Sequence, residues 1–466
     1  MLFNTFVFAG LFLPLTLLAF WLVPGDRGKR VVLLASSLFF YGYWYWPYLA
    51  LLVGLVAIAW ACALWVEQRR GSAAPVWLAA VSLLGVLGFF KYAGFLATVA
   101  SDLGFVSLQS RRVSALALPI GISFIVFQAL GYVVDVYRGE FRAERRFSVV
   151  LLFKAFFPQL IAGPICRAHE LMPQLKQRFR FDAVQFFGGL AIFAIGFLLK
   201  EVFADGLAPL VDKLYVAGTQ PGLVQAWAAA IGFGGQIYAD FWGYSTMAVG
   251  LARMFGIDIP VNFRLPYLAT SLREFWRRWH ITLSQWLRDY LYKPLGGSRH
   301  GAGRTVFALM ATMLLGGLWH GANYTFIVWG ALHGVVQVME HLLRPKAAPS
   351  SRWLARARSF FGWLYVFIVV MVAWVFFRAQ DVHQAVTIAQ AMFQGPLQWT
   401  LTAEVRQIFA LSLALLVLQV PIERLLESLR RARVTPARAV VASFGSVVAG
   451  VVLGAPAAVP FIYFQF

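Results

Sequence analysis

Apolar runs of membrane-crossing length recur from one end of the chain to the other, separated by short polar stretches. A hydrocarbon core about 30 Å thick takes roughly 20 helical residues. The first run, 6–23, has no basic stretch before it and no small-residue cleavage site after it, so it reads as a retained span. The run 31–66 is too long for one crossing and is interrupted at Trp46-Pro47. Proline lacks the N–H that a helix interior needs, so the pattern predicts two helices joined by an uncharged outer turn. Further spans are predicted over 76–100, 113–137, 184–199, 223–255, 360–377, 408–420 and 440–464.

The basic residues orient these spans, because Lys and Arg collect on the cytoplasmic side. Arg27, Lys29 and Arg30 place the loop after the first run inside and the N-terminus outside. Arg111 and Arg112 fall on the outer side and break the rule once. Two apolar segments carry basic clusters on both flanks: 148–165 and 305–343. Each is expected to enter and leave from the cytoplasm, with breaks at Gly163-Pro164 and near Gly316-Gly317 and Trp319-His320-Gly321. Irregular backbone at membrane depth survives only where protein or a watery cavity covers it. The longest polar stretch, 256–304, must be cytoplasmic. Its arginines alternate with Phe263, Tyr267, Phe275, Trp276, Trp279, Trp286, Tyr290 and Tyr292, which suits an amphipathic helix at the interface or a surface for an anionic ligand. The fold class is therefore an all-α polytopic integral membrane protein of about ten to twelve transmembrane helices with re-entrant hairpins. Residues 1–466 read as one transmembrane domain with 256–304 as a segment within it.

Composition agrees. Of 466 residues 60% are apolar and only 13% charged, against about 25% charged in soluble proteins. Lys plus Arg total 40 against 20 for Asp plus Glu, a net charge of +20. The excess is spread as topogenic clusters between spans rather than as a patch on a polar domain, so no nucleic-acid partner is expected. Cys62 and Cys166 suggest neither a disulfide framework nor a metal site. No Gly-x-Ser-x-Gly elbow, phosphate-binding Gly-Lys-Ser/Thr loop or His-Glu-x-x-His appears, which takes away nucleotide hydrolysis and zinc chemistry.

Ionisable groups at membrane depth are costly and mark functional candidates. His320 follows the apolar run 313–318 at an expected helix break, beside Trp319, Gly321, Asn323 and Tyr324. A neutral imidazole is the natural general base near pH 7, although a lone buried histidine also serves as hydrogen-bonded core. Asn323 and Tyr324 are placed to orient a reacting group. His280 ends the segment Arg277-Arg278-Trp279-His280, as a site residue or as an interfacial histidine. His333 lies thirteen residues past His320, roughly 220° around a continuous helix, so the two should not share a face. His169, His300, His341 and His383 read as solvated. Asp135 and Asp240 stand near the ends of apolar runs. The residues after Asp240, Phe241-Trp242-Gly243-Tyr244-Ser245, read as a small-residue break that caps a helix or lines a cavity.

Several stretches resemble the membrane-bound O-acyltransferase family. They are Leu118-Pro119-Ile120-Gly121-Ile122-Ser123-Phe124, Val133-Val134-Asp135-Val136-Tyr137-Arg138-Gly139, Pro158-Gln159-Leu160-Ile161-Ala162-Gly163-Pro164, Tyr238 to Ser245, Glu274-Phe275-Trp276-Arg277-Arg278-Trp279-His280, Trp286-Leu287-Arg288-Asp289-Tyr290-Leu291, Gly316-Gly317-Leu318-Trp319-His320-Gly321-Ala322-Asn323 and Trp374-Val375-Phe376-Phe377-Arg378-Ala379. The resemblance runs from the first helix to about Ala379 and is strongest to the alginate O-acetyltransferase branch. The chain departs from that branch at Thr246, where related sequences carry Asp.

The resemblance implies helices around a central tunnel, a cytoplasmic funnel for an acyl donor, and two catalytic histidines, His320 as the signature one and His280 near the funnel. It implies a bacterial inner-membrane enzyme that passes acetyl groups to a separate periplasmic acetyltransferase acting on the polysaccharide. Acetyl-CoA is the expected donor substrate, with no bound cofactor or metal. Its phosphates would meet Arg277 and Arg278, since arginine forks suit phosphate. Trp279, Asp240, Tyr244, Ser245, Trp319, Asn323 and Tyr324 complete the expected substrate site. Alginate leads among polymers, with cellulose or peptidoglycan next. A transporter or flippase of lipid-linked sugar is the rival from another class.

Overall fold

The computed structural model describes residues 1–69, 71–105, 118–161, 163–343, 351–397, 401–455 and 459–462. Among them the secondary structure is helical throughout, with no strand. Seven helical segments among the described residues are long and apolar enough to cross a membrane, with shorter apolar helices at Val7–Leu22 and Ile122–Tyr137. Arg111, Arg112 and the start of the expected 113–137 span lie outside the described residues. The chain folds as two compact units. The first comprises Met1–Phe193, Met247–Pro260 and Val434–Val440, and the second Ala194–Thr246, Val261–Arg433 and Val441–Phe466.

In the first unit the break at Trp46-Pro47 appears as expected, between helices Gly25–Gly42 and Tyr48–Gln68. Arg27, Lys29 and Arg30 lie in the opening turns of the first of these rather than in a loop. There Lys29 donates to the Phe179 carbonyl at 3.1 Å. The 148–165 segment is two short pieces, Phe147–Ala155 and Phe157–Leu160. Nine residues rise only about 14 Å, far short of the bilayer. The helix is interrupted at Phe156 and ends at Leu160, and Gly163-Pro164 lie outside any helix, as expected. Both pieces are buried, and side-chain amides satisfy the irregular backbone. Gln159 donates to the Phe153 carbonyl at 2.6 Å, while Gln128 donates to Gln159 at 2.9 Å and to the Cys166 carbonyl at 3.0 Å. Asp135 is buried in the helix Ile122–Tyr137.

In the second unit the 305–343 segment is a pair of helices, Gly301–His320 and Tyr324–Leu342, joined by a three-residue turn. The helix passes through Gly316-Gly317 unbroken and ends at His320. Twenty residues span about 30 Å, so each arm is a full-length helix rather than a shallow insertion. The glycines serve packing. A Cβ on Gly330 would stand 2.5 Å from the Met313 carbonyl, and one on Gly317 would overlap the carbonyl of Phe326. Only bare backbone lets these two helices approach so closely.

The 256–304 segment departs most from expectation. It is not one surface helix but a 3-10 turn, Pro266–Leu268, followed by helices Leu272–Arg278 and Ile281–Leu287, the second running on as a π-helical turn over Arg288–Tyr292. Leu265 and His280 adopt left-handed backbone and break it. Phe263, Phe275, Trp276, Trp279 and Trp286 are buried core residues. At the chain end, the expected 440–464 span stops being helical at Leu453. Residues 459–462 fold back onto the second unit, and residues 463 and 464 lie outside the described residues.

Candidate functional site

His320 is the last residue of its helix and is only 4% exposed. The chain leaves the helix extended at Gly321, where a Cβ would collide with the Phe326 ring. The imidazole sits among Trp319, Trp329 and Phe377, with ring centroids at 5.0, 5.1 and 5.2 Å. His280, fully buried, meets Phe241 edge-on at 4.5 Å and Trp319 at 6.0 Å. The Trp319 indole thus contacts both histidines. His333 joins the same cluster, 4.6 Å from Trp329, contrary to the rotation argument. A rotation of roughly 220° between His320 and His333 holds only along one continuous helix. The break after His320 returns the chain antiparallel, so both imidazoles face Trp329.

The turn that carries His280 is built from capping and backbone bonds. Ser271 caps the helix Leu272–Arg278 by accepting from the Glu274 N–H at 3.1 Å. Glu340, on the helix Tyr324–Leu342, accepts from the N–H groups of Leu272 at 2.5 Å and Arg273 at 3.2 Å. An acidic group at a helix N-terminus is favourable on both counts. Past that helix, the Arg264 N–H donates to the Arg278 carbonyl at 3.0 Å, and the Ile281 N–H donates to the Asn262 carbonyl at 2.9 Å. His280 lies between these bonds with φ +40°.

The two arginines differ. Arg277 is exposed. Arg278 is paired with Glu274 at 2.5 Å and donates to the Leu265 carbonyl at 3.3 Å, which gives it a structural duty. Burial pushes the Glu274 carboxyl up, but hydrogen bonds from Thr270 and the Arg278 charge outweigh it and hold the group below its ordinary value. Trp279 packs between Phe275 at 5.6 Å and Trp374 at 5.0 Å.

Asp240, Tyr244 and Ser245 lie inside the uninterrupted helix Leu223–Met254, so the expected break does not exist. Gly243 is there for contact. A Cβ would come within 2.8 Å of the Gly196 carbonyl on the neighbouring helix. Asp240 pairs with Lys200 at 3.0 Å, and Lys200 pairs with Asp205 at 2.6 Å. This buried cluster holds the returning chain end. Lys200 donates to the Val459 carbonyl at 2.9 Å, and the Ile462 N–H donates to Asp240 at 2.7 Å. Tyr244 packs on Phe461 at 4.6 Å.

Asn323 caps the helix Tyr324–Leu342 by accepting from the Thr325 N–H at 3.2 Å, and donates to the Gln380 carbonyl at 3.0 Å. These two bonds fix the hairpin turn. Tyr324 is exposed. A separate apolar cavity of about 310 Å³ is lined by Ile231, Gly235, Tyr238, Tyr267 and Met371 among others, and neither histidine borders it.

Sequence reasoning missed Lys200, Asp205 and Asn262. The cost of an ionisable side chain within an apolar run was the signal that singles out Lys200. Asn262 carried no such signal, since its partners are 17 and 20 positions away.

A ring of buried histidines and tryptophans at a helix break, within a helical membrane protein, matches the class the motifs suggested. Residues 147–379 match the model of the membrane-bound O-acyltransferase family. The chain is 42% identical to the probable alginate O-acetylase AlgI of Azotobacter vinelandii, over 90% of this chain and 83% of that protein. It is 34% identical to the peptidoglycan O-acetyltransferase of Helicobacter pylori, over 84% of this chain and 80% of that one. Similarity to the teichoic acid D-alanyltransferase of Bacillus subtilis, 26% identical, covers 50% of this chain and 63% of that one. The chain belongs to the membrane-bound O-acyltransferase family. It is a multi-pass membrane acyltransferase.

Proposed function

We propose that this protein takes acetyl groups from acetyl-CoA on the cytoplasmic side of a bacterial inner membrane and passes them outward for O-acetylation of an exopolysaccharide, with alginate as the leading polymer. The observation that carries this reading is His320, placed at the end of a full-length helix with Trp319 between it and His280. The 42% identity to an alginate O-acetylase supports the choice of polymer. The 34% identity to a peptidoglycan O-acetyltransferase makes peptidoglycan the second reading.

In this scheme a hydroxyl of the acceptor attacks the thioester carbonyl. His320 takes the hydroxyl proton as the new C–O bond forms, and returns it to the thiolate as the C–S bond breaks. The acceptor belongs to a periplasmic enzyme that esterifies the polymer. Trp319, Trp329 and Phe377 surround the imidazole with apolar surface and limit access of water to the thioester. Arg277, exposed and free of the duty that Arg278 has, is the better contact for the donor's phosphates.

Binding, stability and labelling measurements test this. Arg277→Glu should weaken acetyl-CoA binding about tenfold in neutral detergent, the worth of one charge-assisted hydrogen bond. High salt should mimic part of that loss in the wild type. Arg278→Glu should lower both affinity and melting temperature, because it sets a second carboxylate beside Glu274. Unchanged affinity in Arg277→Glu would reduce that arginine to a lipid-headgroup anchor. For topology, cysteines replacing Arg145, Lys176 and Arg304 should resist an impermeant maleimide added from the periplasm. The same holds for Lys346, which lies outside the described residues. Labelling at any of the four would overturn the cytoplasmic placement of the hairpin ends.

A further inference from the structure

His280 holds a left-handed backbone, φ +40° and ψ 56°, that a residue with a Cβ adopts only when its surroundings enforce it. The enforcing groups converge on one buried side chain. Asn262, 1% exposed, accepts from the Thr282 hydroxyl at 2.7 Å and the Thr282 N–H at 3.3 Å. Its amide nitrogen donates to the Ser245 hydroxyl at 3.1 Å, and its backbone carbonyl accepts from Ile281. Both residues after His280 are therefore tied to Asn262. Ser245 stands one turn from Phe241 on the helix Leu223–Met254, and residues four apart share a helix face. Phe241 is the ring that meets the His280 imidazole at 4.5 Å. One amide thus fastens the histidine turn to the helix face against which the imidazole packs.

We propose that Asn262 is a positioning residue for acyl transfer, holding His280 in its left-handed turn through Thr282 and Ser245. This rests on the reading that His280 serves the transfer. A displacement of about 1 Å in a reacting group costs on the order of a hundredfold in rate. Asn262→Ala should therefore lower kcat by that order and leave KM for acetyl-CoA unchanged. Thr282→Val, nearly the same shape without the hydroxyl, should lower kcat several-fold with KM again unchanged. Asn262→Asp should recover most of the activity, since its oxygens still accept from Thr282 and can accept from the Ser245 hydroxyl. Amide hydrogen exchange across 279–283 should speed up in Asn262→Ala and Thr282→Val.

The experiment is steady-state kinetics on the full-length purified variants, alongside His280→Ala and detergent melting curves. If Asn262→Ala does not fold, Thr282→Val carries the test. Folded Asn262→Ala or Thr282→Val with wild-type kcat, while His280→Ala is inactive, overturns the positioning role alone. Full activity in His280→Ala overturns the underlying reading and the proposal with it.

Discussion

His320→Ala protein should accumulate at the wild-type level, melt within a few degrees of it, and transfer no measurable acetyl. Loss of a positioned base costs typically 10²–10⁴-fold. The substitution leaves the Trp329 and Phe377 rings packed on each other at 5.4 Å. Acetylation of the polymer in cells, read against protein level, gives the answer. A variant that keeps even about a tenth of the activity retains far more than the loss of a base allows. That result would move the base to His280.

The second large effect concerns stability. Lys200 lies within an apolar membrane-length helical segment and carries two buried carboxylates, Asp205 at 2.6 Å and Asp240 at 3.0 Å. Lys200→Met should abolish accumulation of folded protein, because removing one partner of a buried pair costs about 3–5 kcal/mol. Replacing all three charges, with Lys200→Met, Asp205→Asn and Asp240→Asn together, should restore folding. The triple variant should hold residues 459–462 less firmly, because the Val459 and Ile462 contacts lose their charge. Fluorescence-detected size exclusion separates the outcomes. A monodisperse Lys200→Met peak at wild-type height would show that the cluster contributes little to the fold.

Much of this architecture was written in local pattern. Trp46-Pro47 marks a helix boundary because proline removes a backbone donor, whatever packs nearby. His320 was found at a helix end because Gly321 follows it and an apolar run precedes it. Other features depend on what lies opposite in space. Gly243 reads as a breaker in one dimension, yet in the folded protein a neighbouring backbone fills the place of its missing side chain. The aromatics of 256–304 alternate with arginines equally well on a surface helix and in a broken, buried segment. Only the left-handed residues at 265 and 280 decide between these, and neither is glycine. The bonds from Asn262 to Ser245 and Thr282, and from Lys200 to Asp240, join residues too far apart for any periodicity to show. His333 was misplaced for a related reason, since one helix break invalidates all rotation arithmetic beyond it.

The most direct measurement is turnover by the purified wild-type protein in neutral detergent, supplied with acetyl-CoA labelled in the acetyl group. With a periplasmic extract as acceptor source, labelled acetyl should leave the thioester at a rate that His320→Ala abolishes, with free coenzyme A released one for one. Without extract, slow hydrolysis of the thioester should still depend on His320. If acetyl-CoA stays intact with and without extract while the protein is folded, acetyl-CoA is not its donor, and the proposed route for the acetyl group fails.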